Sequence, residues 1–270
     1  MGIGRKPPAD IQQLSEIHYA TYRMGEPLPK SVVAFSPEIL VHLSWSGIPD
    51  FSAETCVDNV ATQAKFIGEA ERISGLRRIV AAGSCIEYGG KKGLCRETDR
   101  PVPNSHLSWA KQSLCSYFQV ACQQRNIELL WFRIFYVYGP GQRPAALIPS
   151  LLKAYRCGQS PEINSPDAAN DFVFVDDVVD AFVLGVEQEQ GAGIVNIGSG
   201  RLTTVGKVSR MVERSVNTIT DQTSGLFDGR TNQETSLGMF ADISRANAVL
   251  AWKPRTSLSE GIVRTAELMV

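Results

Sequence analysis

Ser84 is the side chain best placed for chemistry. It follows the apolar run Ile79, Val80, Ala81, Ala82 and then Gly83, in the stretch RIVAAGSCIEYGG from Arg78 to Gly90. A short apolar run closed by glycine is the pattern of a strand buried on both faces. The carboxyl end of such a strand is where open α/β sheets bind ligands. The same serine can instead cap a loop, and this stretch alone leaves both readings standing. Other reactive side chains argue mainly by exclusion. His18, His42 and His106 are scattered, so no histidine-rich metal site is expected. The six cysteines (Cys56, Cys85, Cys95, Cys115, Cys122, Cys157) include no C-x-x-C pair. They read as reduced cytoplasmic thiols. Asp176 and Asp177 open a helix, where carboxylates favour the dipole, and that structural role outweighs a catalytic one.

The elements that must position these residues follow from composition and pattern. Across 270 residues, 43% are hydrophobic and 20% charged, as in a soluble globular protein. The net charge of −1 gives no field to attract nucleic acid or anionic lipid. No apolar run approaches a membrane span, and the start, MGIGRKPPAD, lacks the apolar core of a signal peptide. Periodicity predicts an amphipathic helix over 10–22, and the apolar run over 79–82 a buried strand. It predicts a helix over 51–74 whose buried stripe is Val57, Val60, Ala61, Ala64, Ile67 and Gly68. A polar loop is expected over 91–104. Further helices are expected over 105–125, 143–158, 176–186 and 203–216, and strands over 127–135, 168–177 and 194–200.

Three features occur in one order: Ser84 four residues before Tyr88-Gly89, Lys111 on the following helix, and RIFYVYGPGQRP after the next strand. Together they resemble the extended short-chain dehydrogenase/reductases, the NAD-dependent nucleotide-sugar epimerase/dehydratase family. The resemblance runs from about Pro37 to the end of the chain. It implies an α/β fold, a Rossmann-like doubly wound parallel sheet, N-terminally truncated, with a smaller C-terminal α/β substrate lobe. A partial dinucleotide-binding domain would cover 1–140 and a substrate lobe 141–270, with some segments returning to the first. It implies NAD or NADP as cofactor, a nucleoside-diphosphate sugar as substrate, and a homodimer formed through the helices containing Val57–Gly68 and Ser108–Ala121. By residue, it implies Ser84 and Lys111 as catalytic. Leu43, Ser44, Ala82, Gly83, Lys111, Phe135 and Val137 would lie against the cofactor. Ser84, Tyr136, Arg143, Asn170 and Arg230 would face the sugar nucleotide, and Asn59 would order the site.

The departures from the family pattern are as informative. Gly2 and Gly4 share the first spacing of a dinucleotide-binding glycine turn, but Pro7 stands at the third glycine and no strand precedes them, so the match reads as accidental. With the strand at 38–45 taken as the fourth of the sheet, the first strand, glycine turn, first helix and second strand are expected to be missing. Relatives carry a tyrosine one helical turn before the lysine; here that position is Leu107, which cannot carry a proton. His106 points about 100° away round a helix and is a poor substitute. Tyr136 stands in place of an asparagine, and Asn170 in place of an arginine. Cys85 and Ile86 replace the acidic pair of the dehydratases, which ranks the epimerase reading above the dehydratase one. Two functions remain: a nucleotide-sugar epimerase or reductase with impaired catalysis, or a silent relative that binds a sugar nucleotide or partners an active subunit.

Overall fold

The computed structural model describes residues 1–6, 17–188, 191–220 and 238–269. In chain order come β1 (Gly2–Gly4), β2 (Tyr19–Thr21), α1 (Lys30–Phe35), β3 (Ile39–His42), α2 (Ala53–Ala70) and β4 (Arg78–Ala82), then a 3-10 turn, Cys85–Tyr88. Next are β5 (Gly93–Cys95), α3 (His106–Gln124), β6 (Glu128–Ile134), β7 (Tyr136–Tyr138), α4 (Leu147–Arg156), β8 (Ala169–Asn170) and β9 (Phe172–Phe174). The chain closes with α5 (Val175–Glu187), β10 (Gly193–Ile197), β11 (Thr203–Thr204), α6 (Val205–Thr220), β12 (Met239–Ala241), α7 (Ser244–Leu250) and α8 (Leu258–Leu268). Two compact units divide it. The first is Met1–Gly89, Pro101–Phe132 and Glu189–Ile194; the second is Gly90–Arg100, Arg133–Gln188 and Val195–Val270.

In the first unit, β3, β4 and β6 lie side by side in parallel, with β4 in the middle. Val80 lies opposite both Val41 and Leu130. These strands are apolar along nearly their whole length because helices cover the sheet. Phe66 and Ile67 of α2 and Leu114, Cys115 and Phe118 of α3 supply the core with Ile79, Ala81 and Trp131. An aromatic file links them: the His42 ring lies 5.8 Å from Phe66 and 5.2 Å from Phe118, and Phe118 lies 5.3 Å from Trp131.

The structure corrects several expectations in this unit. β1 and β2 pair in parallel, Ile3 opposite Ala20, ahead of β3. They form a two-stranded sheet of their own, apart from the one that holds β3. Gly2 and Gly4 belong to a strand, not to a turn. Residues 19–21, expected to be helical, form β2, and 7–16 lie outside the described residues. The buried face of α2 is Cys56, Asn59, Gln63, Phe66, Ile67 and Ala70, whereas Val57 is half exposed. Periodicity picked the apolar residues, but the two buried amides satisfy each other, Gln63 Nε2 donating to Asn59 Oδ1 at 3.1 Å. α2 is therefore apolar on an outward face as well.

The second unit holds three two-stranded sheets: β7 with β9 in parallel, β5 with β12 in parallel, and β8 with β11 antiparallel. The expected loop over 91–104 thus contains a strand, and the single strand expected over 168–177 is two strands followed by α5. Tyr138, Phe172, Phe174, Ile148, Leu151, Leu152, Tyr155, Val208, Val212 and Ile262 form its core. α4 turns Ile148, Leu151, Leu152 and Tyr155 into it.

Candidate active site

In the first unit β4 delivers Gly83 and Ser84 to the carboxyl edge of the sheet, where the Gly83 amide donates to Phe132 O at 2.8 Å. Ser84 then caps the 3-10 turn, and its Oγ accepts from the Ile86 amide at 3.3 Å. The Glu87 carboxylate returns to accept from the Ser84 amide at 2.9 Å, completing a capping box. Glu87 is fully buried, and its Oε1 also accepts from Trp131 Nε1 at 2.9 Å. A side chain at position 83 cannot coexist with this arrangement. A Cβ there would lie 2.2 Å from Trp131 Nε1 and 2.6 Å from Glu87 Oε1.

Lys111 reaches the same strand end from α3. Ser105 starts that helix, its Oγ accepting from the Ser108 amide at 3.1 Å. This cap fixes the helix, which carries Leu107 and Lys111 one turn apart on one face. Lys111 Nζ donates to Ala82 O at 3.2 Å and sits 4.4 Å from the centre of the Trp45 ring. Burial pushes the Lys111 ammonium down to about 8, and the negative charge of Glu87 opposes that shift. Ser84 and Lys111 therefore gather at one end of β4, joined through Ala82 and Glu87. Leu107 is half buried and His106 exposed. Tyr88 is 1% exposed and packs in the interior, so it is a poor proton carrier for a ligand.

The loop after β3 completes this wall. Leu43 is exposed and Ser44 half buried. Asn59 ties the loop to α2: its Oδ1 accepts from the Ser46 amide at 2.8 Å and its Nδ2 donates to Ser46 O at 3.0 Å. It is buried. His42 is held neutral, pushed down to about 3 chiefly by burial and then by the Lys111 charge.

In the second unit Phe135 is buried and donates its amide to Ile197 O at 2.9 Å, while Val137 is half buried. The Tyr136 ring is 40% exposed and lies 6.1 Å from that of Phe172. Arg143 is exposed and Asn170 half buried in β8; Arg230 lies outside the described residues. Sequence reasoning missed Asp171. Its buried carboxylate accepts from the amides of Ser199, Gly200 and Ala241 at 2.6, 2.9 and 3.0 Å, and from Ser199 Oγ at 2.5 Å. Burial raises its pKa against those four bonds. Asp177 likewise accepts from the amides of Arg255 and Thr256 at 3.0 and 3.1 Å, in the structural role expected of it.

For a dinucleotide, the donor set is half complete. The Lys111 ammonium and the small residues at the end of β4 fit a ribose. No glycine-rich strand-turn-helix cradle for a pyrophosphate occurs among the described residues. No group of three or more His, Cys, Asp or Glu able to hold a metal occurs among them, and no helix among them is long and apolar enough to cross a membrane.

Comparison with known proteins identifies the family and the fold. A family model described as NAD dependent epimerase/dehydratase matches residues 3–198. A UDP-glucose 4-epimerase of Mycolicibacterium smegmatis is 28% identical over 86% of this chain and 76% of its own. A dTDP-4-dehydro-6-deoxyglucose reductase of Escherichia coli is 27% identical over 93% of this chain and 77% of its own. The solved UDP-glucuronic acid 4-epimerase of Bacillus cereus, in complex with NAD, superposes with a TM-score of 0.81 at 21% identity, covering 96% of this chain and 81% of that one.

Proposed function

This chain belongs to the NAD dependent epimerase/dehydratase family, and from that premise we propose that it binds a nucleoside-diphosphate sugar beside Ser84 and Lys111, with its redox chemistry impaired by Leu107. The carrying observation is the contrast on α3. Lys111 is anchored at the end of β4 by Ala82 O and the Trp45 ring, while the residue one turn earlier has no titratable group. When bound, the dinucleotide supplies hydride transfer. The chain's own residues contribute positioning: Ser84 offers its hydroxyl to the sugar oxygen, and Lys111 holds the ribose hydroxyls.

The outward faces of α2 and α3 expose Val57 (50%), Trp109 (42%), Tyr117 (41%) and Val120 (55%), which supports a homodimer through these helices. The free thiols support a cytoplasmic location.

The test is a fluorescence titration with UDP-sugars, using Trp45 and Trp131 at the site as reporters. Saturable binding that Ser84→Ala weakens supports the proposal. A wild-type protein that fails to saturate with any of them contradicts it.

A further inference from the structure

We propose that Trp45 is the positioning residue of Lys111: its indole face seats the ammonium at the end of β4 and leaves one N–H of that ammonium for a ligand. For the ligand, this rests on the reading of Lys111 as a ribose contact. Every group involved lies in the first unit. An ammonium carries three N–H donors on a flexible four-carbon stem. One donor goes to Ala82 O at 3.2 Å, and the centre of the Trp45 ring lies 4.4 Å from Nζ. That is well inside the roughly 6 Å over which an aromatic face attracts a cation, and indole is the best such face. With a carbonyl on one side and a ring on another, two N–H directions are taken. Tetrahedral geometry then sets the third.

The ring itself stands on a clamped frame. Ser46, the next residue in the loop after β3, has both its backbone groups held by Asn59, at 2.8 and 3.0 Å. Asn59 is locked in turn, donating to Thr55 O at 2.8 Å and accepting from Gln63 Nε2 at 3.1 Å. A side chain that orients a functional group needs such support behind it. The indole also gives up its own hydrogen bond to sit there. Trp45 Nε1 is buried without a partner among the described residues, whereas Trp131 Nε1 donates to Glu87 at 2.9 Å. A buried indole N–H is usually satisfied. An alkyl or phenyl side chain would fill the space with no donor to strand, so packing alone does not explain a tryptophan. The titratable groups facing the ammonium are Glu87, whose negative charge favours it, and His42, held neutral.

The test is NMR of the whole chain with its lysines carbon-labelled at Cε, followed through a pH titration. Held over an indole face, the Lys111 Cε protons feel its ring current and should resonate upfield of every other lysine. Trp45→Leu keeps apolar cover and removes the π-face. It should return the signal to the common lysine position and lower its titration midpoint by about one pH unit. Trp45→Phe, with a weaker face, should give an intermediate signal, and it decides the matter if Trp45→Leu does not fold. In equilibrium dialysis at pH 7, affinity for NAD should fall about tenfold in Trp45→Leu and be largely kept in Trp45→Phe. A wild-type Lys111 signal lying among the other lysines overturns the proposal, as does a midpoint that stays or rises in Trp45→Leu. A wild type that shows the upfield signal but binds no NAD overturns the ribose contact and upholds the seat of the ammonium on Trp45.

Discussion

Acidification should weaken the fold through His42 by an amount that can be calculated. The ring ordinarily titrates at 6.5 and is held down to about 3 in the folded chain, mainly by burial. Between those values the unfolded chain binds a proton that the native one refuses. The depressed value therefore costs the fold nothing well above 6.5, and the cost grows as pH falls from 6.5 towards 3. Moving from pH 7 to pH 5 should cost about 2 kcal/mol through this residue alone. Carboxylates also titrate in that range, so the assay must be differential. Urea unfolding of the wild type and of His42→Phe at both pH values isolates the histidine. Phenylalanine suits the site because the ring packs against Phe66 and Phe118 and Nε2 has no partner to lose. The stability difference between the two proteins should shift by about 2 kcal/mol towards the variant at pH 5. A shift below about 0.5 kcal/mol, the usual error of such differences, would refute a neutral buried ring.

Gly83→Ala forces a methyl into Trp131 and Glu87 and should destabilise the fold by about 3 kcal/mol, read as a lowered midpoint in chemical unfolding. Asp171→Ala strands buried donors from Ser199, Gly200 and Ala241 and should cost about 3 kcal/mol by the same assay. Because burial brings Lys111 to about 8, dinucleotide affinity should fall as pH rises from 7 to 9. Lys111→Arg, which keeps its charge, should flatten that profile in a titration at fixed ionic strength.

The main strands and helices were legible because their apolar runs and periods are long. Strands of three residues were not: Gly2–Gly4 and Tyr19–Thr21 form a parallel pair that no local pattern announces, since glycine and polar flanks carry little strand signal. The stripe of α2 was misplaced because Asn59 and Gln63 are buried through hydrogen bonds, which a hydrophobic pattern does not register. At the site, Ser84 is a cap as well as a candidate ligand contact. The spacing Ser84-x-x-Glu87 is a capping-box signature that would have found Glu87. Trp45 beneath Lys111 left no signal, because its contact depends on how the loop after β3 meets α3.

The decisive measurement concerns position 107. Single-turnover hydride transfer from a UDP-sugar to NADP or NAD should be followed by absorbance in wild type and in Leu107→Tyr, in the form of the protein that saturates with dinucleotide. If Ser84 and Lys111 are competent and only the proton carrier is lacking, the variant should exceed wild type by about a hundredfold or more. A wild type that already matches its variant would contradict the account.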